Sequence, residues 1–400
     1  MTVQHTTERR WDHLGLGGKG ALLAAGTFVA IGLFSMGSAL PTLLESYKDV
    51  PHADLLVQLI GGIVAPVFAI ASPIAGRLVS KYGVRTVYLF ALLLFTIGGI
   101  GPVICTSLIP VVAFRVILSL GVAGGFTAGM AGIAKVPVDQ RPLLLGLTSF
   151  FGGGICIAVF PLVGALAQIS WRAAFLMHLI LLPTALLMLR LPKMSASERR
   201  GEAGGLSASS AGLLAGVPVP LLLVAGLVGL AMVASSMYTP FYLNSIGVQE
   251  PARIGRLLGV MAICSLLGSG SYSQVHRIAG TIGMVFLGLV LTGVGCLIIG
   301  LSGAVYGAVA GMGLMGMGIA IFGAAGYGAA IEAIGPNADM GSAMGVMTFA
   351  LYGSQILFPV LASTVGTTAG PQTLFLLLSG LMLAAISLMV YGRATAPAPA

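Results

Sequence analysis

Charge is the scarcest commodity in this 400-residue chain: Asp, Glu, Lys and Arg together make up 8% of it, against roughly a quarter in soluble domains. A soluble globule is thereby excluded. Only four cysteines occur, Cys105, Cys156, Cys264 and Cys296, with no Cys-x-x-Cys or Cys/His spacing among them. That excludes a zinc site or a disulfide framework and leaves them as small packing residues. Carboxylates are just as sparse, and none of the 11 falls midway along an apolar run. Enzymes embedded in membranes generally need a cluster of acid, base, nucleophile or metal ligands. No such cluster is visible, so neither an enzyme nor a cofactor nor a metal is expected.

What the chain has in abundance is apolar residues, 57% of the total, with 59 glycines and 20 prolines. Glycine and proline at that level suit helices that approach closely and break locally, as membrane bundles tolerate. A spanning helix takes about 20 apolar residues, so a dozen would leave only short connections. Apolar runs lie near 21–44, 55–75, 86–107, 109–134, 143–168 and 173–191, then near 217–243, 255–275, 281–302, 304–333, 341–366 and 371–391. The first is too long for a signal-peptide core and is read as a helix. The longest hydrophilic segment separates the two sets. The expected fold is an all-α membrane protein with twelve transmembrane helices in two pseudo-symmetric six-helix bundles. Its boundaries are 1–191 for the N-terminal bundle, 192–211 for a cytoplasmic linker and 212–400 for the C-terminal bundle.

The net charge of +8 maps onto loops rather than onto a nucleic-acid partner. With the N-terminus inside, fourteen of the 19 basic residues fall in inner loops; Lys48, Arg172, Arg253 and Arg256 fall outside, and Arg115 lies within a helix. The bias predicts a multi-pass protein of the plasma (inner) membrane with both termini cytoplasmic. The segment 76–85 between helices two and three has a faint counterpart at 270–280, about half a chain later, as a parallel duplication predicts.

Several of these residues resemble the major facilitator superfamily over essentially the whole chain. Gly76 to Arg85 is similar to its loop signature, Gly-x-Leu-x-Asp-Arg-x-Gly-Arg-Arg, matching at Gly76, Leu78, Lys81, Gly83 and Arg85, with Ser80 in place of the usual Asp. Arg115 followed by Gly121, Gly124 and Gly125 resembles the fourth-helix signature. Phe160-Pro161 with Gly164 keeps part of the fifth-helix signature of exporters, and Trp171-Arg172-Ala-Ala-Phe175 looks like the usual opening of helix six. Ala39-Leu40-Pro41 resembles the drug- and metabolite-efflux branches. The resemblance implies a secondary transporter whose two bundles rock about a central cavity.

Within the spans, ionisable residues are costly and are functional candidates by default. Arg115 is the single permanent charge, and a guanidinium without an intramembrane acid favours an anionic substrate group. The alternative is that it snorkels or bonds to carbonyls of helix one. Proton coupling has three candidates, Glu45, Asp54 and His178, the last weighed against a packed histidine. Polar residues suited to an amphiphilic pocket include Ser35, Gln58, Ser119, Thr127 and Thr148 in the first half. Ser235, Ser236, Tyr238, Tyr242, Asn244, Tyr327, Tyr352 and Gln355 do so in the second. Each is weighed against a bond between helices; Gln58, Asn244 and Gln355 rank first because a buried amide is costly to leave unpaired. Glycine runs at 311–318 and 323–328 lack a P-loop lysine and are read as smooth helix faces.

A cytoplasmic gate is expected at Gly76, Arg77, Lys81, Gly83 and Arg85, with Glu332 and Asp339 supplying the acid that Ser80 does not. The function expected is proton-coupled export of small amphiphilic or anionic organic molecules by alternating access. The alternative is a proton-coupled symporter importing a small organic or inorganic anion. The expected partners are a small-molecule substrate, the proton as coupling ion and the lipid bilayer, with no nucleic acid, and the chain is expected to be a monomer.

Overall fold

The computed structural model describes residues 11, 14–137, 140–193, 217–334 and 346–394. Asp339 and most of the expected linker lie outside them. Internal contacts divide the chain into two units, Met1–Ser209 and Ser210–Ala400. Every regular element among the described residues is helical. Long apolar runs dictate this, because in lipid a lone segment satisfies its backbone groups only by coiling on itself.

In the first unit, α1 (Leu16–Phe34) breaks at a 3₁₀ turn, Gly37–Ala39, and resumes as α2 (Leu40–Ser46) with Pro41 in its first turn. Proline belongs there, where the missing N–H has no partner to lose. The second span is bent by 41° between α3 (Ala53–Gly62) and α4 (Val64–Tyr82). Next come α5 (Val84–Ile100), α6 (Leu108–Lys135) and α7 (Arg141–Ile169). The sixth span joins α8 (Trp171–Phe175), a 3₁₀ stretch Leu176–Leu181 and α9 (Thr184–Met188).

The second unit repeats this plan. Its first span runs through α10 (Val219–Val233), a π-helical turn Ala234–Tyr238 and α11 (Thr239–Ser245), with Pro240 placed as Pro41 is. Then come α12 (Pro251–Leu301) and α13 (Val305–Ile334). A π turn Phe349–Gly353 and a 3₁₀ turn Ser354–Leu357 lead into α14 (Phe358–Ala369), followed by α15 (Pro371–Ala394). Phe160-Pro161 in α7 and Phe358-Pro359 opening α14 place the same dipeptide in the fifth helical segment of each half.

α12 is two helices joined at Gly280, whose φ of 65° and ψ of 173° break the helical path. Gly83, between α4 and α5, adopts φ 82° and ψ 156°. Both lie at positive φ, where a side chain would be strained. Gly370 joins α14 to α15 in the same conformation. At the matching place in the first unit, Ser170 caps α8 instead, its Oγ accepting from Ala173 N at 3.1 Å.

Ten helices among the described residues are long and apolar enough to cross a membrane, and the bent α3–α4 pair makes eleven if it counts as one span. Pro371–Ser387 is a shorter apolar helix. The all-helical membrane fold is therefore as read from the sequence, whereas twelve spans is a larger number than these helices supply.

Packing inside each unit uses small residues, since lipid gives apolar side chains little reason to leave it. A Cβ on Gly98 of α5 would stand 2.2 Å from Leu118 N of α6, and one on Gly121 2.4 Å from Phe95 N. The two backbones touch because glycine is there. Phe28 fills the core beside Phe95 at 5.1 Å and Tyr88 at 5.7 Å, and the Tyr88 hydroxyl donates to Ala21 O at 2.8 Å. The second unit has its own apolar core, including Val228, Met284, Leu289, Phe322, Leu351 and Met382. Outward-facing Ile70, Phe90, Ile109, Leu223 and Leu267 are exposed, as lipid-facing side chains are.

Candidate functional site

Arg115 projects from α6 and is completely buried. Its Nε donates to Ile60 O of α3 at 2.9 Å and its Nη2 to Gly32 O of α1 at 3.1 Å. One guanidinium thus ties three spans. Its Nη1 is buried with no hydrogen-bond partner among the described residues. Bonding to a helix-one carbonyl was one of the two readings of this residue, and it leaves a donor over. Gln58 sits two residues before the Ile60 carbonyl that Arg115 engages, is 6% exposed, and has an unpartnered buried Oε1. The same half holds a third such atom on an expected residue, His178 Nε2.

His178 is fully buried in the 3₁₀ stretch of the sixth span. Its Nδ1 lies 2.8 Å from Phe175 O, so Nδ1 carries a proton, and in the neutral ring Nε2 is left as an acceptor. The ring packs between Phe95 and Phe175, at 5.6 and 6.2 Å. Glu45 is different. It stands exposed at the end of α2 and holds Lys48 Nζ at 2.7 Å. That bond, together with the carboxylate's charge, holds the Lys48 ammonium above its ordinary pKa. Asp54 occupies the first turn of α3, half-buried. Of these three proton-coupling candidates, His178 is packed in the core and Glu45 is paired with an exposed cation.

Of the second-half candidates, Tyr242 is fully buried and donates to Ser302 O. Tyr238, within the π turn, packs against Phe358 and Phe375 at 5.9 and 6.0 Å. Tyr327 shares a 2.9 Å hydrogen bond with Thr348, and both Tyr327 and Tyr352 border the apolar core. Tyr352 lies in the other π turn. Gln355, just beyond it, is 1% exposed with Nε2 unpartnered. Asn244 is half-buried near the end of α11. The hydroxyls mostly serve their own helices: Ser35 donates to Ile31 O, Ser119 to Arg115 O, Thr148 to Leu144 O, and Ser235 and Ser236 to Met232 O. They therefore have no donor left for a ligand.

At the expected gate, Arg77 and Lys81 are exposed, Lys81 lies 5.1 Å over the Tyr82 ring, and Arg85 Nη1 reaches Leu191 O at 3.5 Å. Gly76 is half-buried in α4 and Gly83 makes the turn. Glu332 accepts a 2.5 Å hydrogen bond from Thr281 Oγ1 within its own half. Sequence reading missed that bond and both π turns. A π turn is a frequent mark of functional sites, yet its one extra residue leaves no compositional trace. Among the described residues no three His, Cys, Asp or Glu side chains gather as a metal site would require.

The sequence profile described as Major Facilitator Superfamily matches residues 22–284. Over 127 residues the chain is 31% identical to the efflux pump aflT of Aspergillus parasiticus, covering 30% of this chain and 24% of that one. Over 168 residues it is 29% identical to the class H tetracycline resistance protein of Pasteurella multocida, covering 40% and 41%. The chain spans less than half the length of each of these curated relatives. In three dimensions it resembles a POT family transporter solved in complex with 5-aminolevulinic acid, with a TM-score of 0.76 at 13% identity over 98% of this chain and 100% of that one. A likeness at that identity establishes the fold.

Proposed function

The chain belongs to the Major Facilitator Superfamily, a family of transporters rather than enzymes, and on that premise we propose that it exports small amphiphilic or anionic organic molecules by proton-coupled alternating access. The membrane proposed is the plasma (inner) membrane, with both termini cytoplasmic, twelve spans in two bundles joined by the 192–211 linker, and a monomeric carrier. Export is favoured by the relatives named an efflux pump and a tetracycline resistance protein.

The observation that carries the substrate class is the unpartnered Nη1 of Arg115, with its two N–H donors. A buried donor left without a partner costs about 1–3 kcal/mol, more when charged. An anionic or carbonyl oxygen brought to Nη1 would recover that free energy. Gln58 and Gln355, with their unmatched amide atoms, are the next polar groups assigned to the substrate, followed by Asn244 and the tyrosines at 238, 242, 327 and 352. Glu45, Asp54 and His178 remain the proton-coupling candidates, and the basic turn 77–85 with Glu332 and Asp339 the cytoplasmic gate.

The same spare donor also favours the second reading, a proton symporter that imports a small anion. Everted and right-side-out vesicles separate the two. Under an imposed proton gradient, export predicts accumulation of organic anions only in everted vesicles. Uptake by right-side-out vesicles alone would select the importer, and no gradient-driven flux in either would remove proton coupling.

A further inference from the structure

The transport reading leaves unused two side chains at the Gly280 turn, His276 and Thr281, which run in a chain to Glu332. His276 Nε2 lies 3.1 Å from Thr281 Oγ1, and that hydroxyl donates to Glu332 Oε1 at 2.5 Å. A threonine hydroxyl has one proton. Since it goes to the carboxylate, the imidazole must donate through Nε2, and the donors run in one direction from ring to carboxylate. Tyr272 stacks on the ring with centroids 5.4 Å apart and planes 25° apart. His276 and Thr281 flank Gly280, and Glu332 comes from near the end of α13, so the chain crosses from the turn to the neighbouring helix. Thr281 is buried, His276 half-buried and Glu332 exposed, which leaves both ends open to exchange protons with water.

We propose that His276, Thr281 and Glu332 form a proton-operated clasp that fastens the Gly280 turn to the end of α13. Histidine is the residue type whose charge changes near neutral pH. A neutral ring can move its single proton to Nδ1, and the Nε2 donor then disappears. An imidazolium donates from both nitrogens and sets a positive charge one hydroxyl away from Glu332. Protonation therefore tightens the clasp and deprotonation loosens it. Among the described residues the other titratable or charged groups at this end of the two helices are Tyr272 on the ring face and exposed Arg277 next in sequence; Asp339, in the segment after α13, lies outside them. Arg253 and Arg256 belong to the opposite end of α12, and α10 and α11 bring no charge. Arg393 of α15 lies outside the described side chains. The clasp does not depend on any cargo, and its residues are not the proton-coupling candidates above, apart from Glu332's separate assignment to the gate.

Hydrogen–deuterium exchange of the full-length protein in lipid nanodiscs tests it, comparing peptides covering 272–284 and 327–334 at about pH 5.5 and about pH 8 after correction for intrinsic exchange. The expected result is about two- to fivefold slower exchange at the lower pH, the range of a partly exposed ion pair. His276→Asn keeps a donor but does not titrate, and should erase the pH response; Glu332→Gln should do the same. Thr281→Ala should raise exchange at both pH values and Thr281→Ser restore it, with peptides at the far end of α12 unchanged as a control for folding. Absence of a pH response in the native protein overturns the clasp, as does its persistence in His276→Asn.

Discussion

The two halves share a plan but hold their interiors together differently. In the first, a single guanidinium, Arg115, gathers three spans by their backbone carbonyls. In the second, no charged side chain is buried among the described residues, and the joining is left to hydroxyls, Tyr242 to Ser302 O and Tyr327 to Thr348, as Tyr88 to Ala21 O also does in the first. The break in the leading span is a tight 3₁₀ turn in one and a wide π turn in the other. The two halves thus break their leading spans at similar places while the chemistry at those places differs. A charge draws three helices to one point, whereas neutral hydroxyls act pair by pair.

The largest effect should come from a device both halves share. Gly98→Val drives a branched side chain into the α6 backbone, and Gly295→Val does likewise toward Gly311 O and Met315 N, each 2.6 Å from a Cβ at that position. Each should cost more than about 3 kcal/mol, seen as loss of monodisperse protein in size-exclusion chromatography. If only one variant is lost, the halves differ in packing as well as in chemistry. Arg115→Lys should rank next. One ammonium cannot reach both carbonyls, so about 1.5–3 kcal/mol is expected to disappear with a charged hydrogen bond, lowering the thermal midpoint and organic-anion flux together. An unchanged midpoint would mean that the three-span tie contributes nothing.

Tyr327→Phe removes a neutral bond and should lower stability by about 1 kcal/mol; a loss as large as that of Arg115→Lys would erase the contrast between the halves. Smallest of all is Lys48→Ala. The Lys48 pKa is raised by Glu45, so its contribution is complete below the unfolded value and fades only as pH rises through the folded one, well into the alkaline range. Its thermal midpoint should match the native protein's from about pH 6 to about pH 8, and a difference there would give this surface pair a role that its exposure denies.

Much of this contrast is readable from residues alone, because in lipid the arithmetic is simple. Apolar run length identifies the helices, and Arg115 stands out as a charge set between apolar turns of one of them. Partnership is what the sequence hides. Glu332 and Arg85 are each visible as charges, but that one meets Thr281 and the other the Leu191 carbonyl depends on where helices from distant parts of the chain end. His178 appears in the sequence as a titratable group, and only the rings of Phe95 and Phe175 around it reveal how little room it has. Two of the amides that the sequence marks as costly to leave unpaired, Gln58 and Gln355, each bury one atom without a hydrogen-bond partner, a fact of packing that composition does not carry.

The joints at Gly83, Gly280 and Gly370 are one residue long and have no slack. A single residue inserted into the first turn after one of them would rotate the rest of that helix by about 100° and shift it by about 1.5 Å. Every lipid-facing side chain on it would swing toward the bundle, and every packed glycine away. Length can vary where loops are generous, but at these three joints the reading frame of one helix face is locked to the next.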